Sequence, residues 1–314
     1  PGPQVVSGRT RSAGLRDDGA VFEWSGNLSS TLRTDISGVR QIVAGEDHVL
    51  ARRADGGVSA FTIGTGGNDS GQLGNGNTNY STLITPVTGL TNVVDVGAGG
   101  SHSLAVKVDG SVWAWGDNNR GQLGDGTMTQ RLTPVLVPGL TGVLRVAGGV
   151  RGEFSLALKT DGAVMAWGYN NQGQLGDGST TTRTSPVAVS GLSSVVAIAA
   201  GAAHVLALKG DGTVWGWGFN SSGQLGDGAT TQRSIPAVVP GLTNVVAIAA
   251  GSSHSVALKS DGTVWAWGLN NTGQLGDGTS VNRLTPVQMV GLSGVQAIGA
   301  DVETLTVRAD GSVT

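Results

Sequence analysis

The sequence predicts an all-β fold, a seven-bladed β-propeller of antiparallel three- to four-stranded blades, and three observations lead there. The dipeptide Asp-Gly follows an alternating apolar run at Asp18, Asp55, Asp109, Asp161, Asp211, Asp261 and Asp310, at spacings of 37, 54, 52, 50, 50 and 49 residues. Seven anchors at a period near 50 residues mark a repeat architecture, overriding the two domains of roughly 150 residues that length alone would give. No stretch sustains a 3.6-residue period, whereas short β-rich runs recur throughout. The runs are made of small residues and are apolar on both faces, so a sheet built from them must be covered on both sides. Radial stacking of seven such sheets supplies that cover, and residues 1–314 are expected to form one propeller.

The unit from Gly241 to Gly291 shows each element in order. VVAIAA and HSVALK read as strands A and B, and TVWAWG as strand C. The Asp-Gly between B and C is the sequence that a primed hairpin turn requires, because Gly tolerates positive φ. NNTGQLGDGT reads as a structured loop. TPVQMV, led by Pro286, reads as an outer strand D, where a missing backbone donor is tolerated.

Trp113 and Trp115, Trp215 and Trp217, and Trp265 and Trp267 stand two apart on strand C. Each pair therefore projects to one face of its blade, where it can fill the wedge that widens outward between blades. All six are expected to be mostly buried, and truncating Trp215 or Trp265 to Ala is expected to cost roughly 3 to 5 kcal/mol. Units one and four keep only Trp24 and Trp167, and unit two has Ser59 and Phe61.

The string HSxALKxDGxVWAWGxNxxGQLGDGT occurs as His102 to Thr127, as His204 to Gly228 with Ala229 closing, and as His254 to Thr279. It closely resembles the regulator of chromosome condensation repeat, and the resemblance covers nearly the whole chain, strongly in units three to six. It implies a seven-bladed propeller. Function does not follow from it, because similar propellers serve as a nucleotide exchange factor for a small nuclear GTPase, a plant ultraviolet-B receptor, ubiquitin-ligase modules and a secreted bacterial inhibitor of β-lactamases. A bacterial protein in a secreted or extracellular location is the reading adopted from that set.

Composition narrows the partners. A net charge of −3, with only four Lys, argues against the broad basic surface that nucleic acid or an anionic membrane would need. No apolar run approaches the roughly 20 residues of a membrane span. Zero Cys excludes thiolate zinc sites, thiol catalysis and disulfides, and is silent on compartment. The start, Pro1-Gly2-Pro3, has neither an initiating Met nor a signal pattern, which fits a mature product or a trimmed piece. The end, Ser312-Val313-Thr314, falls inside strand C of unit seven, so that blade is expected to be short or to continue beyond residue 314.

Charges that recur at one repeat position are read as blade construction. A cation lies two residues before every Asp-Gly, at Arg16, Arg53, Lys107, Lys159, Lys209, Lys259 and Arg308, where a solvated turn with local pairing to the Asp accounts for it. Arg131, Arg183, Arg233 and Arg283, each three residues before a Pro, are read in the same way. The second Asp-Gly, at Asp125, Asp177, Asp227 and Asp277, lacks the alternating acids of a calcium loop and reads as a turn. His48, His102, His204 and His254 all precede an Asp-Gly by seven residues, one to a blade. They are too far apart around a ring for a metal site, and are expected to bond backbone near the A to B turn. No metal and no cofactor is expected, and no GxxxxGK[ST], HExxH or GxSxG signature is present.

Subtracting the repeat charges leaves 11 acids and 8 cations, of which eleven lie before residue 71. The A to B turns are neutral in units three, five and six. They are charged at Arg9 and Arg11 in unit one, Glu46 and Asp47 in unit two, Arg151 and Glu153 in unit four, and Asp301 and Glu303 in unit seven. These turns and the GQLGDGT loops share one face of a propeller, and departures from a repeat on such a face are the default binding hypothesis. Unit two also carries extra residues between Thr62 and Ser70 and near Asn75 to Tyr80; drift of terminal repeats is the alternative reading.

The reading adopted is a non-enzymatic, monomeric protein-interaction scaffold. Its unidentified protein partner docks on the A to B face around units seven, one and two, without nucleic acid or membrane. The resemblance also allows an exchange factor for a small GTPase, although no large inserted wedge is visible, or a secreted inhibitor of an enzyme. A third class is a glycan-acting enzyme or lectin using Glu46, Asp47, Asp301 and Glu303, which would need carboxylates about 5 to 9 Å apart. An ultraviolet receptor is disfavoured because the Trp pairs lie on strand C.

Overall fold

Alternating runs joined by short turns fold as up-and-down sheets. In unit six, strand A (Val245–Ala250) pairs antiparallel with B (His254–Lys259), B with C (Val264–Gly268) and C with D (Arg283–Gln288). The computed structural model describes residues 3–9, 11–25, 30–63, 66–309 and 311–314. Units one to six each form a four-stranded sheet in this order. Unit seven is a two-stranded sheet, Val295–Ala300 with Thr304–Arg308, extended by one antiparallel bridge between Val307 and Val313. The complete blades therefore number six, not the seven expected, because unit seven supplies only two full strands; its anchor Asp310 lies outside the described residues.

The inner strands close a ring. Strand A of each unit packs against strand A of the next, and Val295–Ala300 of unit seven packs against Gln4–Ser7 of unit one. The approach there is close: a Cβ on Gly299 would stand 2.9 Å from the Val5 carbonyl oxygen. Among the described residues there is no helix.

The B to C connection differs from the primed two-residue turn expected. Lys259 N donates to Thr263 O at 2.9 Å and Gly262 N to Lys259 O at 3.0 Å, leaving a three-residue loop with Gly262 at φ 81°. This is a type I turn closed by a left-handed Gly, which needs positive φ at one position only. Asp261 is favoured because its Oδ1 accepts the Thr263 N–H at 2.9 Å.

The repeat cations divide by what strand C offers. Lys107, Lys209 and Lys259 lie over the rings of Trp113, Trp215 and Trp265 at 4.4, 5.3 and 4.4 Å. Where Met165 or Ser59 replaces that Trp, the cation turns to the hairpin acid instead: Lys159 to Asp161 at 3.2 Å and Arg53 to Asp55 at 3.4 Å. The two tryptophans of a pair are not equivalent. Trp115, Trp217 and Trp267, like Trp167, are fully buried, whereas Trp113, Trp215 and Trp265 are only partly buried.

Blades are latched side by side by one repeated polar device. The Gln224 carbonyl of unit five accepts both Trp267 Nε1 at 2.9 Å and Ser255 Oγ at 2.8 Å from unit six. Ser255 Oγ in turn meets His204 Nε2 at 2.9 Å. Since the Ser255 proton is committed to Gln224, the histidine must donate from Nε2, and its Nδ1 is bare. His48 and His102 reach Ser103 and Ser155 in the same way, and His254 reaches Thr304. The expectation that these histidines bond backbone is therefore corrected: each binds a hydroxyl of the next unit. Burial holds His48 and His254 down to about 4 and His102 and His204 to about 3, so all are neutral near pH 7. A contact repeated from unit to unit explains the Gly at the turn: a Cβ on Gly99 would stand 2.0 Å from His102 Cε1.

Candidate functional site

The A to B turns form a rim around the axis, joined by backbone bonds from unit to unit. Arg9 N donates to Glu46 O at 2.7 Å, Glu46 N to Gly100 O at 3.1 Å, Gly100 N to Gly152 O at 3.2 Å and Val150 N to Ala200 O at 3.3 Å. Ser252 N donates to Asp301 O at 2.6 Å. The first residue of each loop that follows strand C hangs from the same turns: Tyr169 N donates to Glu153 O at 2.9 Å and Phe219 N to Ala203 O at 2.8 Å. The turns and the GQLGDGT loops thus share one face.

The eight charges expected on this face fall into pairs and singles. Arg9 is ion-paired with Glu46. Arg151, held at φ 56°, makes a two-point pair with Asp301, Nε to Oδ1 at 3.2 Å and Nη2 to Oδ2 at 3.3 Å. Asp301 is 1% exposed and also accepts Ser252 Oγ at 3.1 Å; burial raises its pKa against the pull of Arg151. Glu153 meets Arg120 Nε at 3.4 Å, and Arg120 lies over the Tyr169 ring. Arg11 turns away to Glu23 at 3.9 Å, a carboxylate held chiefly by Arg33 at 2.8 Å. Asp47 Oδ1 is buried without a hydrogen-bond partner, and burial raises the Asp47 pKa, opposed by Arg9. Glu303 is exposed and has no ion-pair partner among the described residues.

Glu46, Asp47, Asp301 and Glu303 are consequently not a free carboxylate set, because two of the four are committed to arginines. Among the described residues no group of three His, Cys, Asp or Glu could hold a metal ion.

An open cleft of about 360 Å³ lies beside Arg151, between units three, four and five. Its walls include Glu46, Asp117, Glu153, Tyr169, Gln174 and Phe219. The sequence placed the binding region at units seven, one and two; the cleft lies on the same face but on the other side of the ring, with Glu46 at its edge. The signal that could have found it is the variable residue immediately before the loop Asn, which is Asp117, Tyr169, Phe219 and Leu269 in units three to six.

A second feature missed by the sequence reading lines the inner strands. Four residues before the turn position, which is Gly in these units except for Asp301 in unit seven, units one to three carry Gln4, Gln41 and Asp95, where units five to seven carry Ala197, Ala247 and Ala297. Gln4 Oε1 accepts Ile42 N at 2.9 Å, Gln41 Oε1 accepts Val96 N at 3.3 Å and Asp95 Oδ2 accepts Val146 N at 2.9 Å, each bond joining a unit to the next. The repeated loop charges are structural, as expected: Asp125, Asp177, Asp227 and Asp277 pair with Arg131, Arg183, Arg233 and Arg283 at 2.6–2.8 Å.

The ring of repeats with this loop chemistry has a counterpart among known families. The family model described as RCC1-like domain matches residues 3–246, and two models of the regulator of chromosome condensation (RCC1) repeat match residues 245–274 and 261–302. The chain belongs to the RCC1-like domain family. As an RCC1-like propeller it is 32% identical over 146 residues to Protein pim1 of Schizosaccharomyces pombe, an alignment covering 36% of this chain and 26% of pim1. It is 35% identical over 217 residues to the human E3 ubiquitin-protein ligase HERC2, covering 64% of this chain and 4% of HERC2. These relatives are far longer than the segment they share. Among solved structures, Prp20p from Saccharomyces cerevisiae superposes with a TM-score of 0.82 at 22% identity, covering 96% of this chain and 80% of that one. At that identity the likeness shows the fold alone.

Proposed function

We propose that this RCC1-like propeller is a non-enzymatic protein-binding module whose partner docks on the A to B face. Members of the family bind proteins; the Prp20p structure was described together with its binding to Gsp1p and histones. The observation that carries the reading for this chain is the break in repeat symmetry on one face only. The hairpins of the opposite face repeat a cation two residues before an Asp in every unit, a near-regular pattern that specifies little orientation, whereas the A to B face presents Asp47, Glu153 and Glu303 at single, unequal positions, with Glu153 in the wall of an open cleft. Complementary charge of this irregular kind sets register and rejects wrong partners. Clustering around the axis lets one partner touch several units, reaching the roughly 800 Å² per side of a standard interface.

The test is capture of the partner on immobilised 1–314, identification by mass spectrometry, and affinity measurement with two charge-reversed variants. Glu46→Lys, Asp47→Lys and Glu303→Lys together should weaken binding by more than about tenfold. Lys159→Glu, Lys209→Glu and Lys259→Glu together should leave it unchanged. The opposite pattern would move the functional face to the hairpins.

A further inference from the structure

Gln122, Gln174 and Gln224 occupy the same position of the GQLG loop in units three, four and five, and all are buried. The carboxamide oxygen of Gln174 accepts Gln172 N at 2.9 Å, which fixes Nε2 on the other side of the group. In unit three the equivalent Nε2, of Gln122, donates to Asp117 Oδ2 at 2.9 Å. In unit four Tyr169 takes the place of that acid, so Gln174 Nε2 has lost its acceptor. Gln174 is 1% exposed and lines the cleft, and its Nε2 makes no hydrogen bond among the described residues; in unit five, where Phe219 replaces the acid, the equivalent Gln224 Nε2 is fully enclosed and likewise without a partner. The Gln174 amide therefore borders the cleft as a donor whose protein acceptor has been replaced by Tyr169, and a ligand there can supply the acceptor.

The rest of the cleft states what else the ligand carries. Tyr169 and Phe219, from adjacent units, are both partly exposed in it and offer apolar and π surface. Asp117 makes no ion pair among the described residues and takes only the amide protons of Asn119 and Gln122. Glu153 is held by a single long contact to Arg120. The one cation in the wall, Arg151, is already neutralised by Asp301. An alkyl stem ending in a cation, attached to a main-chain carbonyl, satisfies all three features at once.

We infer that the cleft between units three, four and five receives a lysine or arginine side chain from a protein partner, its stem against Tyr169 and Phe219, its charge between Asp117 and Glu153, and its main-chain carbonyl accepting from Gln174 Nε2. This assignment rests on the A to B face being the docking face and adds the chemistry of the docked group.

The probe is N-acetyl-arginine methylamide, titrated into ¹⁵N-labelled 1–314 while the Gln174 side-chain amide, assigned by its loss in Gln174→Ala, is followed by NMR. The neutral isostere N-acetyl-citrulline methylamide is the control. Saturable shifts of the Gln174 amide with the arginine compound, and binding weaker by about fivefold or more with citrulline and in the double variant Asp117→Asn, Glu153→Gln, are expected. Unchanged melting temperature in that variant shows that the fold is intact. Equal binding of both compounds, or no response at Gln174, overturns the assignment. With the captured partner, a face-reversed variant that loses binding while Asp117→Asn, Glu153→Gln retains it would sink the cleft and leave the docking face standing; loss in neither would sink the docking face.

Discussion

Arg151 and Asp301 lie 150 positions apart and meet in a two-point ion pair, Nε to Oδ1 at 3.2 Å and Nη2 to Oδ2 at 3.3 Å. Units four and seven are not neighbours in the ring, so the pair bridges the mouth of the central opening and ties the two-stranded seventh unit to a complete blade. Arg151→Ala would leave Asp301 buried with Ser252 as its remaining side-chain partner, and should cost about 3 kcal/mol in denaturant unfolding. Because burial already raises the Asp301 pKa, loss of Arg151 raises it further, and a folded-state pKa above the unfolded value means stability lost as pH rises through it. The deficit should therefore be larger at pH 8 than at pH 4, and Arg151→Ala with Asp301→Asn should recover part of it.

Burial divides the tryptophan pairs. Trp217→Ala or Trp267→Ala removes a fully buried ring and its bond to a loop carbonyl, with an expected cost of about 3–5 kcal/mol. Trp215→Ala or Trp265→Ala removes a partly exposed ring under a lysine and should cost about 1–2 kcal/mol. Urea midpoints for the four variants check this order, which reverses the emphasis expected from sequence.

The latch histidines make stability depend on acid. Their folded-state values of about 3 to 4 lie below the ordinary 6.5, so the unfolded chain binds more protons between those limits and stability falls as pH drops from about 6.5 to 4. The limiting slope is about 1.4 kcal/mol per pH unit for each histidine. Asp95 and Asp301, raised by burial, act in the opposite sense above pH 4, so a difference measurement isolates the effect. Relative to the native protein, His204→Gln should show a shallower loss of melting temperature between pH 6.5 and 4.

Ser255 serves two partners from one hydroxyl. Ser255→Ala removes the acceptor of His204 and one donor to the Gln224 carbonyl, and should destabilise by about 1–3 kcal/mol, with Ser255→Thr retaining most of the stability.

Legibility in the sequence followed sequence distance. Lys259 stacks on Trp265 six residues away, although the sequence reading paired this repeat cation with the hairpin Asp; the strands were readable because alternation is local, and the structural role of Asp125 and Arg131, six residues apart within one unit, was readable too. Arg151–Asp301 was not, since their meeting depends on ring closure and on an inserted residue at positive φ. Only two strands pair fully in unit seven, because pairing needs a full strand C, which Ser312 to Thr314 begin without completing. The cleft was half legible: Tyr169 and Phe219 stand out against Asp117 in the aligned loops, but the stranded amide of Gln174 appears only once Gln122 is seen donating to Asp117.

The central claim, that the irregular A to B face is where a partner docks, is tested most directly by hydrogen–deuterium exchange on the propeller, free and bound to the captured protein. The account predicts slowed exchange at residues 46–47, 150–153, 169–174 and 301–303. Protection confined to the hairpins at 107–111, 159–163, 209–213 and 259–263 would contradict it.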